Sequence, residues 1–306
     1  MGDHKHAHSH AQNHAASNRI GWAFFLNVAF TIIEFIGGWL TNSTAIMADA
    51  VHDLGDSLSI GLSWLLNRLG SKPSDNVFTY GYQRFSLLGA LINGFVLTAG
   101  SLWILSMAIP RLFDAPQPHA MGMLWLALLG VAVNGYAAYK LSKGKTLNEQ
   151  VLNWHLLEDV LGWVAVLIVA VTLLFVDWPI LDPLLSIAFT LFILVNVVKN
   201  TLAAVALLMQ GTPDKELHDS VIAIFLGIEH VEAVHHVHIW SLDGESHVLT
   251  AHLRLDQQVQ AGKQVKLKAD ISTLLDSFSF IHTTIEFEFP EEPCRDETPS
   301  RSTSEK

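Results

Sequence analysis

The sequence predicts an α-helical membrane protein: six transmembrane helices followed by a small C-terminal cytoplasmic α+β domain. Three observations point there. The 306 residues are 50% hydrophobic and only 15% charged, with a mean hydropathy of +0.35, too apolar for an ordinary soluble domain. Apolar stretches long enough to cross a bilayer, about 20 residues each, recur six times before residue 210. Past Gly211-Thr212-Pro213-Asp214, a helix-breaking and then N-capping sequence, the pattern changes to shorter segments with alternating polarity.

Taken in order, residues 1–17 form a polar tail crowded with histidine (His4, His6, His8, His10 and His14). A membrane domain follows over 18–210, with spans near 20–40, 44–69, 86–109, 121–142, 150–176 and 180–208. The first and fifth connections, Thr41-Asn42-Ser43 and Asp177-Trp178-Pro179, carry no Lys or Arg. The second carries Arg68, Lys72 and Arg84, and the fourth carries Lys140, Lys143 and Lys145. Basic connections mark the cytoplasmic side, so both termini are expected inside, with Arg111 the one exception. Trp39, Trp125 and Trp178 fall near span ends, where interfacial indoles are common.

Residues 211–290 make the cytoplasmic domain. A helix is expected at 214–226 and strands at 234–242 and 247–255 around an Asp243-Gly244 turn. A helix at 263–278 and a strand at 284–289 complete it. This α-β-β-α-β order is ferredoxin-like. The Pro, Ser, Thr and charge of 291–306 predict a disordered tail.

Composition also excludes. The lone Cys294 rules out a disulfide framework and a Cys-based zinc site, and a net charge of −11 argues against nucleic acid as a partner. The polar, His-rich start does not resemble a cleavable signal peptide.

Two matching spacings then stand out inside apolar stretches. His52 and Asp56 lie in IMADAVHDLGDSLSIGLSWLL, and His155 and Asp159 lie in LNWHLLEDVLGWVAVLIVAV. A gap of four puts both side chains on one helix face, one turn apart. Ionisable groups at bilayer depth are costly and face a water-filled cavity or each other. Two such helices side by side offer two imidazole nitrogens and two carboxylate oxygens. That is a tetrahedral set suited to Zn²⁺, with two negative charges to balance the ion.

Six spans, the repeated His-x-x-x-Asp in spans two and five, and the cytoplasmic α+β domain together resemble the cation diffusion facilitator family, most closely its zinc-transporting branch. ADAVHDLGDS and NWHLLEDVLGW look like that branch's second- and fifth-helix signatures, and the likeness covers about residues 15–290. The resemblance implies a homodimer that exchanges cytoplasmic Zn²⁺ for protons at His52, Asp56, His155 and Asp159. It also implies that His238, His252 and the Glu286/Glu288 strand match positions holding regulatory metal ions in relatives. Period-2 alternation separately places His236, His238 and Trp240 on one strand face, and Glu286 and Glu288 opposite Ile285, Phe287 and Phe289. The loop SKPSDNVFTYGYQR lacks the histidine that some relatives use for a further metal site. The link between spans four and five is short, which favours a bacterial inner-membrane protein surrounded by lipid.

Other polar residues have two readings each. Asp49 shares the His52 face, and either lines an ion path or makes a structural pair. Glu34 is either a waypoint or a hydrogen-bonded structural partner. Asn27, Asn93 and Asn134 read as interhelical hydrogen-bonding residues, and Glu158 points partly away from the opposite helix. An intramembrane metallohydrolase would need a motif such as His-Glu-x-x-His, which is absent, so no enzyme is expected. A membrane-anchored metal sensor remains the second alternative.

Overall fold

A computed structural model describes residues 6–142 and 147–296; for 6–23, 67, 141 and 147–152 it describes the backbone alone. Six long helices come first: α1 (His6–Thr41), α2 (Thr44–Gly70), α3 (Phe85–Ala108), α4 (Ala120–Leu141), α5 (Leu147–Phe175) and α6 (Leu181–Leu208). The chain then forms α7 (Lys215–Leu226), β1 (Val231–Ser241), β2 (His247–Leu255), α8 (Ala261–Leu275) and β3 (Phe280–Glu288). The order α-β-β-α-β is the one expected. Helix α1 reaches back to His6, because Ala, Gln, Asn and Ser fill the stretch to Ile20 with no Pro or Gly to stop it. His4, Lys143, Lys145 and the tail from 297 lie outside the described residues.

Among the described residues, five helices are long and apolar enough to cross a membrane: α1 over Phe24–Thr41, α3 with the turn after it over Phe85–Leu112, α4 over Ala120–Lys140, α5 over Asn153–Phe175, and α6 over Leu181–Leu208. Helix α2 has the length, at 27 residues, but carries Asp49, Asp53 and Asp56. Its first two turns are packed on all sides: every residue from Thr44 to Val51 is buried, and Ala45, Ala48 and Ala50 allow the close approach. From Leu58 to Gly70, Leu66 is the one buried side chain among the described residues. Phe30, Ile46, Met123, Ala127, Trp163, Val166 and Ala170 form the largest core of the bundle. The fully buried Trp163 packs edge-on to Phe30 at 5.6 Å between ring centroids. Room for it on α4 comes from Gly130, where a Cβ would stand 2.1 Å from Trp163 Cδ2.

The chain divides into two compact units, 1–68 with 88–202, and 69–87 with 203–306. The second therefore includes the loop between α2 and α3. Asp75 knots that loop by accepting from Val77 N, Phe78 N and Tyr82 Oη at 2.6–2.8 Å. Tyr80 meets Trp240 and His282 edge-on at 6.3 and 5.1 Å. The sheet order is β1-β2-β3, with β1/β2 antiparallel and β2/β3 parallel. One face packs on α7 and α8 through Val221, Phe225, Ile239, Leu249, Leu253, Ile271 and Leu275. Asp214 caps α7 by accepting from Glu216 N at 3.0 Å.

Strand β1 departs from simple alternation. His235 pairs with His252 and His238 with Thr250, so three steps on β1 match two on β2. The extra residue is His236, which takes a left-handed backbone at φ 50°. The bulge keeps Val234 and Val237 both on the core side and turns His235 to the opposite face, alongside His252.

Candidate metal centres

The four-residue spacings on α2 and α5 do bring their side chains together. His155 Nε2 lies 2.8 Å from Asp56 Oδ2, across the two helices. His52 Nε2 lies 3.6 Å from Asp56 Oδ2 and 3.9 Å from Asp159 Oδ1, and His155 Nε2 lies 4.0 Å from Asp159 Oδ2. The two imidazoles stand edge to face with centroids 5.6 Å apart. Bonds of about 2.0–2.2 Å to zinc put tetrahedral ligand atoms roughly 3.4 Å from one another. The observed separations bracket that value. His52, His155 and Asp159 each offer one donor atom, and these lie within 4.8 Å of one another. Asp56 joins through its hydrogen bond to His155. Asp159 Oδ1, which faces His52 Nε2, is buried without a hydrogen-bond partner. The Phe189 ring borders His52 at 6.0 Å.

The surroundings explain how the pairs are aimed. Asn27 on α1 donates to Asp53 O at 3.3 Å and to Ser57 Oγ at 3.1 Å, tying α1 to α2 beside the site. Glu34, Asp49 and Asp53 are 0%, 3% and 1% exposed, a row of buried carboxylates near the two His–Asp pairs. Asp53 does not stand out in the sequence, although its place beside His52 and four residues after Asp49 is the available signal. Asp182, equally buried, escapes sequence reasoning because a single acid after the Asp177-Trp178-Pro179 turn reads as the edge of a span.

A second cluster lies on the sheet face turned away from α7 and α8. His235, His252, Glu288 and Cys294 place one donor atom each within 4.8 Å of one another. His252 Nδ1 is 2.8 Å from Glu288 Oε1, His235 Nε2 is 2.9 Å from Glu288 Oε2, and Cys294 Sγ is 3.5 Å from His252 Nδ1. Burial acts to raise the Glu288 carboxyl, but hydrogen bonds with Cys294, His252 and His235 outweigh it and hold the group below the usual carboxylate range. Two imidazoles, a carboxylate and a thiol fit a borderline-soft divalent ion, so the single cysteine, too few for a site built on thiolates, still offers one donor to a mixed set.

Of the sheet residues expected from the sequence, His252 and Glu288 belong to this cluster. Glu286 lies 3.8 Å from His252 Nε2 and is paired with Arg295. His238 is exposed on the same face, opposite Thr250, and its ring is not among the four whose donors converge. His235 takes part because of the bulge, and Cys294 because residues 291–296 continue alongside β3. Glu292 N bonds Phe289 O at 2.9 Å, and Arg254 reaches Pro290 O at 3.3 Å.

Comparison with known proteins agrees with both halves. Residues 22–209 match the cation efflux transmembrane domain, and residues 213–289 match the cytoplasmic domain of cation efflux proteins. The chain belongs to the cation efflux family. That is a family of membrane transporters. Among relatives, a "cadmium, cobalt and zinc/H(+)-K(+) antiporter" of Bacillus subtilis is 32% identical, covering 91% of each chain. The metal cation efflux system protein CzcD of Cupriavidus metallidurans is 31% identical over 94% of this chain and 90% of its own. The zinc transporter ZitB of Escherichia coli is 30% identical over 94% and 93%.

Proposed function

We propose that the protein is a zinc/proton antiporter that exports cytoplasmic Zn²⁺ by alternating access through His52, Asp56, His155 and Asp159. The convergence of two imidazoles and two carboxylates from α2 and α5 carries this reading. In it, α2 also spans the membrane, making six spans, and faces its acids inward, both termini are cytoplasmic, and large exposed apolar side chains such as Phe95, Trp125, Ile168 and Phe192 meet lipid in a bacterial inner membrane. The imidazoles bind metal only when deprotonated, so uptake of the ion releases protons and reprotonation expels it. Affinity therefore falls as pH falls, because protons compete with the metal for the same nitrogens. The relatives named for cadmium and cobalt transport support these ions as further substrates, since a nitrogen–oxygen site does not discriminate sharply among borderline metals.

The chain works as a homodimer, as its family resemblance and its cytoplasmic-domain match both suggest. In the cytoplasmic unit, His235, His252, Glu288 and Cys294 hold a regulatory metal ion, with Glu286 beside His252 and His238 further along the face. His252 and Glu288 position one another, and Cys294 supplies the softest donor.

Purified protein in liposomes tests the reading. Zinc flux should be driven by an opposing pH gradient and should dissipate it. Zinc binding without flux would instead favour a membrane-anchored sensor.

A further inference from the structure

We propose that Asp182 is a positioning residue for the transport site. By clamping the first turn of α2 to α6, it keeps His52 and Asp56 closed off from the membrane face on which the α1–α2 turn lies. This rests on reading the α2/α5 site as a transport pathway.

The clamp is built from four donors and one carboxylate. Asp182 is 2% exposed, and its oxygens accept from Ser43 Oγ, Thr44 N at 2.7 Å, Thr44 Oγ1 at 2.8 Å and Ala45 N at 3.3 Å. Ser43 is itself the cap of α2, its Oγ accepting from Ile46 N at 3.2 Å. One turn further along α6, Ser186 donates to Thr44 O at 3.0 Å. A helix start leaves several N–H groups open, and here a different helix satisfies them. Helix α2 cannot slide or tilt at this end without stripping donors from a buried charge, which is stable only while it keeps them. Such a latch is either made or broken.

Two lighter contacts hold the same turn. Arg111 donates to Asn42 O and Oδ1 at 2.9 and 2.8 Å, and His119 N donates to Thr41 O at 2.8 Å. The Arg111 contacts are exposed, where such bonds contribute little. The packing of α2 follows the latch: Thr44 to Val51 are buried throughout, and beyond the site the helix opens out. His52 stands at the boundary, about 12 Å along the axis from Thr44 at 1.5 Å per residue. The site thus has a sealed end and a loose end, and Asp182 is the buried charge at the seal.

Thiol accessibility tests this, because Cys294 is the single cysteine of the chain. Ser101 is 2% exposed and lines a small crevice with Ala48, Val51 and His52, on the sealed side of the site. Full-length protein carrying Cys294→Ser and Ser101→Cys is labelled in membrane vesicles of both orientations with a charged maleimide that does not cross lipid. Adding Asp182→Asn is expected to raise the labelling rate about tenfold from the face bearing the α1–α2 turn, since losing charge-assisted bonds shifts a two-state equilibrium by that order. Labelling from the other face should stay within about twofold. Ser43→Ala, which removes one donor and leaves the carboxylate in place, should give a smaller rise on the same face. This second variant decides the matter if Asp182→Asn does not insert. No rise on that face, or equal rises on both faces, overturns the proposal, the second because it marks a general structural role. Labelling does not depend on zinc movement. A parent protein that fails to transport would therefore remove the transport reading while the accessibility result still stood.

Discussion

Replacing Asp159 with Asn separates the charge of the membrane site from its packing. Asp159 is 3% exposed, and its two oxygens address both imidazoles, at 3.9 Å from His52 Nε2 and 4.0 Å from His155 Nε2. Asparagine has the same shape, and Trp163 one turn further on keeps its place against Phe30, so the bundle should melt within a few degrees of wild type. Four-coordinate protein zinc sites bind with about 10–16 kcal/mol. One ligand's equal share is about 2.5–4 kcal/mol, or roughly 10²–10³ in Kd. Zinc titration of the purified protein by calorimetry should show a loss of that size, and proteoliposome flux at subsaturating zinc should fall in proportion. Asp56→Asn should lose comparably, because it turns the 2.8 Å charge-assisted contact with His155 into a neutral hydrogen bond. A Kd for Asp159→Asn within threefold of wild type, with flux intact, would refute the assignment of Asp159 as a ligand.

Three further outcomes are expected. His52→Asp or His155→Asp replaces a nitrogen donor with a hard oxygen and adds charge, so competition transport should show relatively more Mn²⁺ or Cd²⁺ carried than in wild type. Unchanged selectivity in both would count against imidazole as the filter. Co²⁺ added to the full-length protein should give an intense sulfur-to-metal charge-transfer band that vanishes in Cys294→Ser, because no other thiol exists in the chain. Weak d–d absorption alone would remove Cys294 from the cytoplasmic centre. Gly130→Ala would press a methyl against the Trp163 ring, where a Cβ would come within 2.1 Å, and should cost about 1–3 kcal/mol in denaturant unfolding. A stability change below about 0.5 kcal/mol would mean that α4 and α5 separate more easily than their packing indicates.

The shared faces of His52 with Asp56 and of His155 with Asp159 were legible because helical geometry converts a spacing of four directly into one side of a helix. Nothing between His52 and Asp56, or between His155 and Asp159, interrupts the helix. The five apolar spans were legible for a related reason, since bilayer thickness imposes a length that composition alone reveals. The sheet centre was less so. Alternation assumes one residue per step, and the insertion at His236 breaks that rule without any glycine to announce it. Cys294 was hidden by its neighbours, because Glu291, Glu292 and Pro293 have the composition of a solvated tail. The hydrogen bonds of Glu292 with Phe289, just past β3, appear only in three dimensions. Asp182 was illegible for yet another reason: its partners lie 137–139 residues away in the chain.

The bulge at His236 also affects how ligands are transferred between homologous proteins. Aligned by residue type, the run His235-His236-Val237-His238 offers three histidines for any single ligand column, and a gap can be placed at several positions with equal cost. Only placement of the gap at His236 assigns the column to His235, the residue whose ring meets Glu288. A left-handed residue other than glycine carries about 1–2 kcal/mol of strain, so deleting that one codon should be tolerated and should leave His235 on the same face. Along this strand, homologues that differ by one residue in length can keep the same cluster of side chains while the aligned histidine appears to shift by one.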